Sequence, residues 1–195
     1  MGFFSSLFGS KPTPSIHKED RVFLTRKAAN NDILNLLMQH VLDEKQVVLI
    51  YFFKETKREL ESLLAESPNV TWVNGLMNGS IKSHPSLNKN NAVIVFAETY
   101  PDASFENAVV LDLEEAGFKG INAIFYNGID DPVFVPFGNE KLASLMIKLG
   151  IKEDEAIEHP MVTKSIERAQ NKLTAKKLLG NRIDSRADMI RQLSN

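Results

Sequence analysis

The sequence has no cysteine, which removes disulfides, thiolate metal sites and cysteine nucleophiles and fits a reducing, cytoplasmic setting. No apolar run approaches the roughly 20 residues that span a bilayer, so a membrane-spanning protein is not expected. No G-x-x-x-x-G-K-[ST] occurs, and without it there is no glycine-rich cradle with its lysine to hold β- and γ-phosphates. Arginine is missing altogether between Arg58 and Arg168. His17, His40, His84 and His159 are scattered without metal-ligand spacing, so neither a metal nor a cofactor is expected, and His40 reads as a packed histidine on an apolar helix face. The formal net charge of -2 gives no whole-chain reason to expect specific nucleic-acid binding, which needs a basic surface to drive counterion release.

What is present suits one soluble domain with a proper core: 195 residues, 43% hydrophobic and 25% charged. The opening MGFFSSLFGSKPTP groups Phe3, Phe4, Leu7 and Phe8 and then breaks at Gly9, Pro12 and Pro14. It reads as a greasy segment on a flexible leash, and a tail over residues 1–20 is expected. Gly2 and Ser6 also match the acceptor pattern for N-myristoylation. A free end, or one docked on this protein or a copy of it, is the plainer reading, and peripheral membrane contact the weaker one.

Periodicity then gives the elements. Ile33, Leu36, Leu37, His40 and Val41 recur at helical spacing within 27–43. The run QVVLIYFF at 46–53 is a strand buried on both faces, as in a parallel sheet. Thr56 with Glu59 forms a capping box for a helix carrying Leu60, Leu63 and Leu64. Strands are expected at 69–73, 92–96, 107–111 (NAVVL) and 121–126, with a short last one at 133–136 and a wandering segment at 75–91. Asp112, Glu114 and Glu115 read as a solvated acidic helix start, with a carboxylate site as the alternative. Asn127-Gly128 and Asp130-Asp131-Pro132 are turn chemistry. Trp72 and Phe52 read as core. The result is an α/β three-layer sandwich with a mostly parallel sheet, an antiparallel edge pair being allowed among the late strands.

The stretch 141–172, KLASLMIKLGIKEDEAIEHPMVTKSIERAQNK, is the most distinctive. Leu142, Leu145, Met146 and Leu149 form one stripe closed by Gly150 at a left-handed C-cap position. Pro160 opens a second amphipathic helix with Val162, Ile166, Ala169 and Leu173 on one face. A last short helix is expected at 183–193, after the break at Gly180 and Asn181.

The runs KLGI, EAIEHP and VTKSIERAQNK in this stretch resemble the end of the second nucleotide-binding domain of SecA, the motor ATPase of bacterial protein export. Residues 22–64 resemble the opening of the same domain, and the centre resembles it weakly. The resemblance implies a RecA-like α/β domain of the P-loop NTPase type over 21–160, with a C-terminal helical extension over 161–195. In that motor ATP is hydrolysed between two RecA-like domains, the first bringing the phosphate loop and the Mg²⁺ carboxylate and the second bringing arginines to the γ-phosphate.

Neither set of ligands is in place here, and AETYPDASFEN at 97–107 replaces the expected glycine-rich, aspartate-bearing stretch. The expectation is therefore a fold kept without catalysis: a non-catalytic interaction module, not an enzyme, that binds translocase components or a second copy of itself. Its candidate partner surface comprises Phe3, Phe4 and Phe8 with the basic Lys164, Arg168, Lys172 and Lys176. The alternative is a subunit completing a nucleotide site on another chain's phosphate-loop domain. Lys82, Lys89 and Lys119 would then have to replace an arginine fork they do not match. Nucleic-acid binding by the basic C-terminal helices is a third reading, weakened by the interleaved Glu167, Asp184 and Asp188.

Overall fold

The computed structural model describes residues 16–64, 69–77, 79–157, 160–175 and 182–194. Five strands, β1 (Ile16–Phe23), β2 (Gln46–Tyr51), β3 (Val70–Asn74), β4 (Ala92–Phe96) and β5 (Ile121–Gly128), form one sheet in the order β1-β5-β4-β2-β3. Every pairing is parallel. The helices are α1 (Arg26–Leu42), α2 (Lys54–Leu63), α3 (Ala103–Glu115), α4 (Asn139–Lys148), α5 (Pro160–Ala175) and α6 (Arg186–Ser194), with a 3-10 turn at Pro132–Phe137.

The central strands are apolar on both faces because both are covered. Val47, Leu49, Val95, Ile124 and Tyr126 pack under Ala29, Ile33 and Leu37 of α1 and Leu60 of α2. Val48, Ile50, Ile94, Phe96 and Phe125 meet Val109 and Leu113 of α3, Leu173 of α5 and Met189 of α6 on the other side. This is the expected three-layer sandwich. A third cluster joins Val22, Ile129, Val133 and Phe134 to Ile166 and Ala169 of α5, with Leu142 and Met146 of α4 against it. Val22 and Ile157 exchange backbone hydrogen bonds of 3.4 and 2.8 Å, so the two segments that resemble SecA meet in space. Gly150, at φ +86°, ends α4 in a Schellman motif: Ile151 N–H donates to Met146 and Gly150 N–H to Ile147.

Several expectations are corrected. Residues 16–20, assigned to the tail, begin strand β1. Its run of Lys18, Glu19, Asp20 and Arg21 hides the strand, since charge is how an edge strand is commonly protected. Residues 107–111 are helical, not a strand: Asp102 caps α3 by accepting from Ser104 N–H at 2.9 Å, and Val109 and Leu113 fall one helical turn apart. Asp112, Glu114 and Glu115 consequently lie in the last turn of that helix, where the dipole disfavours them. Residues 133–136 form the 3-10 turn, with Pro132 and Pro136 removing backbone donors that a strand would need. No antiparallel strand pair occurs among the described residues beyond the isolated Val22–Ile157 bridge. α2 starts at Lys54, so Thr56 lies inside the helix, and its cap Phe53 makes no side-chain capping bond. The α4 stripe is only half realised: Leu142 and Met146 pack inward, while Leu145 is 51% and Leu149 67% exposed. Trp72 is half-buried, its ring edge-on to Tyr51.

Gly128 fixes where β5 ends. A Cβ there would lie 2.2 Å from the backbone nitrogen of Arg26 and 2.6 Å from its Cα, so β5 and the start of α1 touch through bare backbone. Gly128→Ala is expected to cost about 3 kcal/mol by overpacking, whereas Gly120→Ala, with open space at φ +67°, should cost about 1 kcal/mol for its left-handed backbone. Urea unfolding of the two variants, read at equal m, checks the ordering.

Candidate functional site at the carboxyl rim of the sheet

In an open parallel sheet, ligands sit outside the carboxyl ends of the strands at the point where the strand order reverses. Here that point lies between β2 and β4, since the chain leaves β2 for β3 on one side and returns to β4 on the other. The groups gathered there are mostly carboxylates.

Glu98, two residues beyond β4, is fully buried and spans the crevice. Its Oε1 accepts the backbone N–H groups of Phe52, at 2.6 Å, and Phe53, at 2.9 Å, just past β2. The next amide, Lys54 N–H, donates to the carbonyl of Asp184 at 2.8 Å. The three successive amides that lead from β2 into α2 are thus engaged by the chain itself. Burial pushes the Glu98 carboxyl above its usual range, against the opposing pull of the nearby Arg26 charge and the bond from the Phe53 amide.

Arg26, the first residue of α1, is buried and ties the neighbouring strand ends together. Its guanidinium donates to the carbonyl of Ala97 and, at 3.0 Å, to that of Tyr126, and it forms a two-point pair with the carboxylate of Asp131. Asp131 also accepts Gly128 N–H at 2.6 Å. Asp130 accepts Arg26 N–H at 2.6 Å and so caps α1. Burial first, and then the adjacent Asp131 charge, raise the Asp130 carboxyl. Asn127 closes the rim by accepting Thr99 N–H at 3.0 Å.

The C-terminal segment covers this rim. Arg186 reaches Glu59 at 3.3 Å, donates to Thr56, and brings its Nε to 4.0 Å from Asp131. Ser185 Oγ and Arg186 N–H donate to the two oxygens of Glu55, at 2.8 and 3.1 Å. Partial burial alone would raise Glu55, but those bonds outweigh it and hold the carboxyl below its usual range. Ile183 bonds the Tyr100 hydroxyl through both its N–H and its carbonyl, each at 3.1 Å. Beside this, Glu106 accepts Tyr100 N–H at 2.8 Å, Gln170 of α5 at 3.0 Å and Lys18 of β1 at 3.3 Å. Burial raises Glu106 despite the Lys18 charge.

The sequence-derived candidates fall elsewhere. Lys164, Arg168 and Lys172 are exposed on one stripe of α5, opposite the buried Ile166, Ala169 and Leu173. Phe3, Phe4, Phe8 and Lys176 lie outside the described residues. Lys89 and Lys119 precede β4 and β5, at the amino ends of the strands, and Lys82 pairs with Glu115 at the end of α3. The three lysines therefore lie away from the carboxyl rim. Among the described residues no cluster of potential metal ligands occurs and no helix is long and apolar enough to cross a membrane.

Sequence reasoning missed Arg26, Glu98, Asp131 and Arg186 as a set. The available signals were Glu98 directly after an apolar strand, and Asp130-Asp131 after another, where parallel sheets keep their sites.

No family model matches the chain. Segments of it are similar to curated proteins named protein translocase subunit SecA. One from Acidithiobacillus ferrooxidans is 58% identical over 52 residues, 27% of this chain and 6% of that protein. One from Prosthecochloris aestuarii is 53% identical over 51 residues, 26% of this chain and 5% of that protein. One from Clostridium perfringens is 38% identical over 97 residues, 50% of this chain and 11% of that protein. The chain thus spans about a tenth or less of the length of these relatives, to which it is strongly similar locally and weakly overall.

Removing the Arg26 charge would strand Asp131. Arg26→Met is expected to cost about 4 kcal/mol, with the double variant Arg26→Met/Asp131→Asn recovering a substantial part of it. Thermal unfolding of the cycle checks this, and an additive double variant would show that the pair is not coupled.

Proposed function

We propose that this chain is a non-catalytic, SecA-like interaction module that binds a protein partner in a process linked to protein export. The observation that carries the reading is the state of the α2 N-terminus. Successive amides at a helix start following a strand are where anionic groups bind, and here Glu98 and the Asp184 carbonyl take those of Phe52, Phe53 and Lys54. A phosphate would have to displace a buried carboxylate and enter a rim already lined by Glu55, Glu59 and Asp131. The export link rests on the segments similar to SecA. The surface offered to a partner combines the cationic stripe Lys164, Arg168 and Lys172 of α5 with α4, where Leu145, Ile147 and Leu149 are 51, 60 and 67% exposed. Both helices pack on the same cluster, and exposed apolar residues beside charge are a common interface composition.

The alternative, completion of a nucleotide site in trans, asks for a free cation near the carboxyl rim. Arg26 and Arg186 are both engaged by carboxylates, which favours the first reading.

The test combines two measurements on the purified chain. Titration with ATP and Mg²⁺ should give neither hydrolysis nor binding at millimolar nucleotide. Fluorescence anisotropy should detect binding to purified SecA translocase, weakened at least tenfold by Lys164→Glu/Arg168→Glu/Lys172→Glu with unfolding unchanged. Micromolar ATP binding would overturn the non-catalytic reading. Stimulation of SecA ATP hydrolysis that Lys82→Ala/Lys89→Ala/Lys119→Ala abolishes would favour the alternative.

A further inference from the structure

The residues that cover the carboxyl rim do so as a bound ligand would. From 182 to 185 the segment is neither helix nor strand, and it is separated from α5 by residues 176–181. It is held by contacts that a separate peptide could make: its Asp184 carbonyl accepts Lys54 N–H, its Ser185 and Arg186 satisfy Glu55, and its Arg186 guanidinium enters among Glu59, Thr56 and Asp131. Its one fully buried apolar side chain is Met189, with Ile183 and Leu193 partly buried beside it.

Charge points the same way. The rim outside this segment carries Glu55, Glu59, Glu98, Asp130 and Asp131; against these, Arg26 is bound to Asp131 and two strand carbonyls, and Lys54 pairs with Asp184 of the segment. Take away residues 182–194 and the rim is an acidic groove, floored by the aromatic rings of Phe52, Phe53 and Tyr100. What it then lacks is one guanidinium directed at the carboxylates of Glu59 and Asp131 and the hydroxyl of Thr56. Two further polar atoms of the rim, Glu98 Oε2 and Arg186 Nε, are buried without a hydrogen-bond partner. The seat is therefore less than fully satisfied by the segment that fills it.

We propose that this acidic rim is a docking groove for an arginine-led helix from another protein, and that residues 182–194 occupy it as a displaceable stand-in. The export reading is not needed for this inference. Tethering through a short connection gives the cis segment a high effective concentration, so contacts of modest intrinsic strength keep the groove filled until a stronger ligand arrives. The partner is specified by chemistry: an arginine at the first turn of a helix, a hydroxyl just before it, and an apolar side chain one turn later to replace Met189. Lysine in place of that arginine would give up the planar fork that spans Glu59 and Thr56.

The experiment uses the full chain and a fluorescein-labelled peptide of residues 182–194. A full-length variant, Arg186→Glu/Met189→Asp, cannot seat its own segment. It is expected to bind the peptide at least tenfold more tightly than the wild-type chain does, and a peptide carrying Arg186→Gln should lose at least tenfold. Equal affinity for both chains, or no binding to a variant whose circular dichroism is unchanged, overturns the proposal. Hydrogen exchange on the wild-type chain is the independent check should the variant not fold. The Lys54 amide, bonded to Asp184, should exchange at least a hundredfold faster than the amides of Ile94, Val95 and Phe96, and exchange in step with them overturns the idea of a displaceable segment. Wild-type dimerisation that the peptide abolishes would assign the groove to a second copy of this chain and overturn the separate partner.

Discussion

The carboxyl end of this sheet depends on one buried ion pair. Parallel strands leave carbonyls at their ends that the sheet does not satisfy, and Arg26 serves those of Ala97 and Tyr126 while pairing with Asp131. That places the start of α1 against β5, which the backbone contact at Gly128 requires. A buried ion pair of this sort is weak as a source of net stability, because desolvation consumes most of the Coulombic gain. Its effect is specificity: once Arg26 is committed to this position, the strand ends, the Asp130 cap on α1 and the 3-10 turn after Asp131 have one consistent arrangement.

The same economy explains the character of the crevice. An open α/β sheet offers a helix N-terminus at its switch point, and the positive end of that helix has to be satisfied by something. Here a carboxylate from the adjacent strand end, Glu98, and a carbonyl from the C-terminal segment, Asp184, satisfy it. The position is thus filled from within the chain by oxygen acceptors. Arg186 is the guanidinium the chain sets against the neighbouring Glu59 and Asp131. The fold thus keeps the geometry of a ligand crevice and gathers carboxylates along it.

Much of the fold was legible. β2, β4 and β5 could be read because strands buried on both faces are continuous apolar runs, and α1 and α5 because their apolar residues keep a helical period. The misreadings share one cause, which is that local composition was set against tertiary context. β1 is written in charged residues because Lys18 lies over the Phe125 ring and pairs with Glu106, a partner 88 residues away. The NAVVL run of α3 has β-branched residues, yet the Asp102 cap decides its conformation. The site was the least legible part. Arg26, Glu98, Asp131 and Arg186 are spread across most of the chain, and no spacing rule joins them until the parallel topology brings their elements to one rim.

The placement of the SecA-like segments adds a last step. They run from the end of β1 through α2 and from α4 into α5, and Val22 joins Ile157 at the seam between them. Around that seam α4 and α5 close on the 3-10 turn through Phe134, Met146 and Ile166. A cluster of this kind constrains sequence through packing, since volume changes in a close-packed interior are felt at once. The central stretch from β3 to β5 packs into the interior too, through Ile94, Phe96, Val109, Leu113 and Phe125, and in addition carries the rim carboxylate Glu98. Glu98 stands in the 97–107 stretch, where the likeness to SecA is weak, and it gives the amides of Phe52 and Phe53 their acceptor.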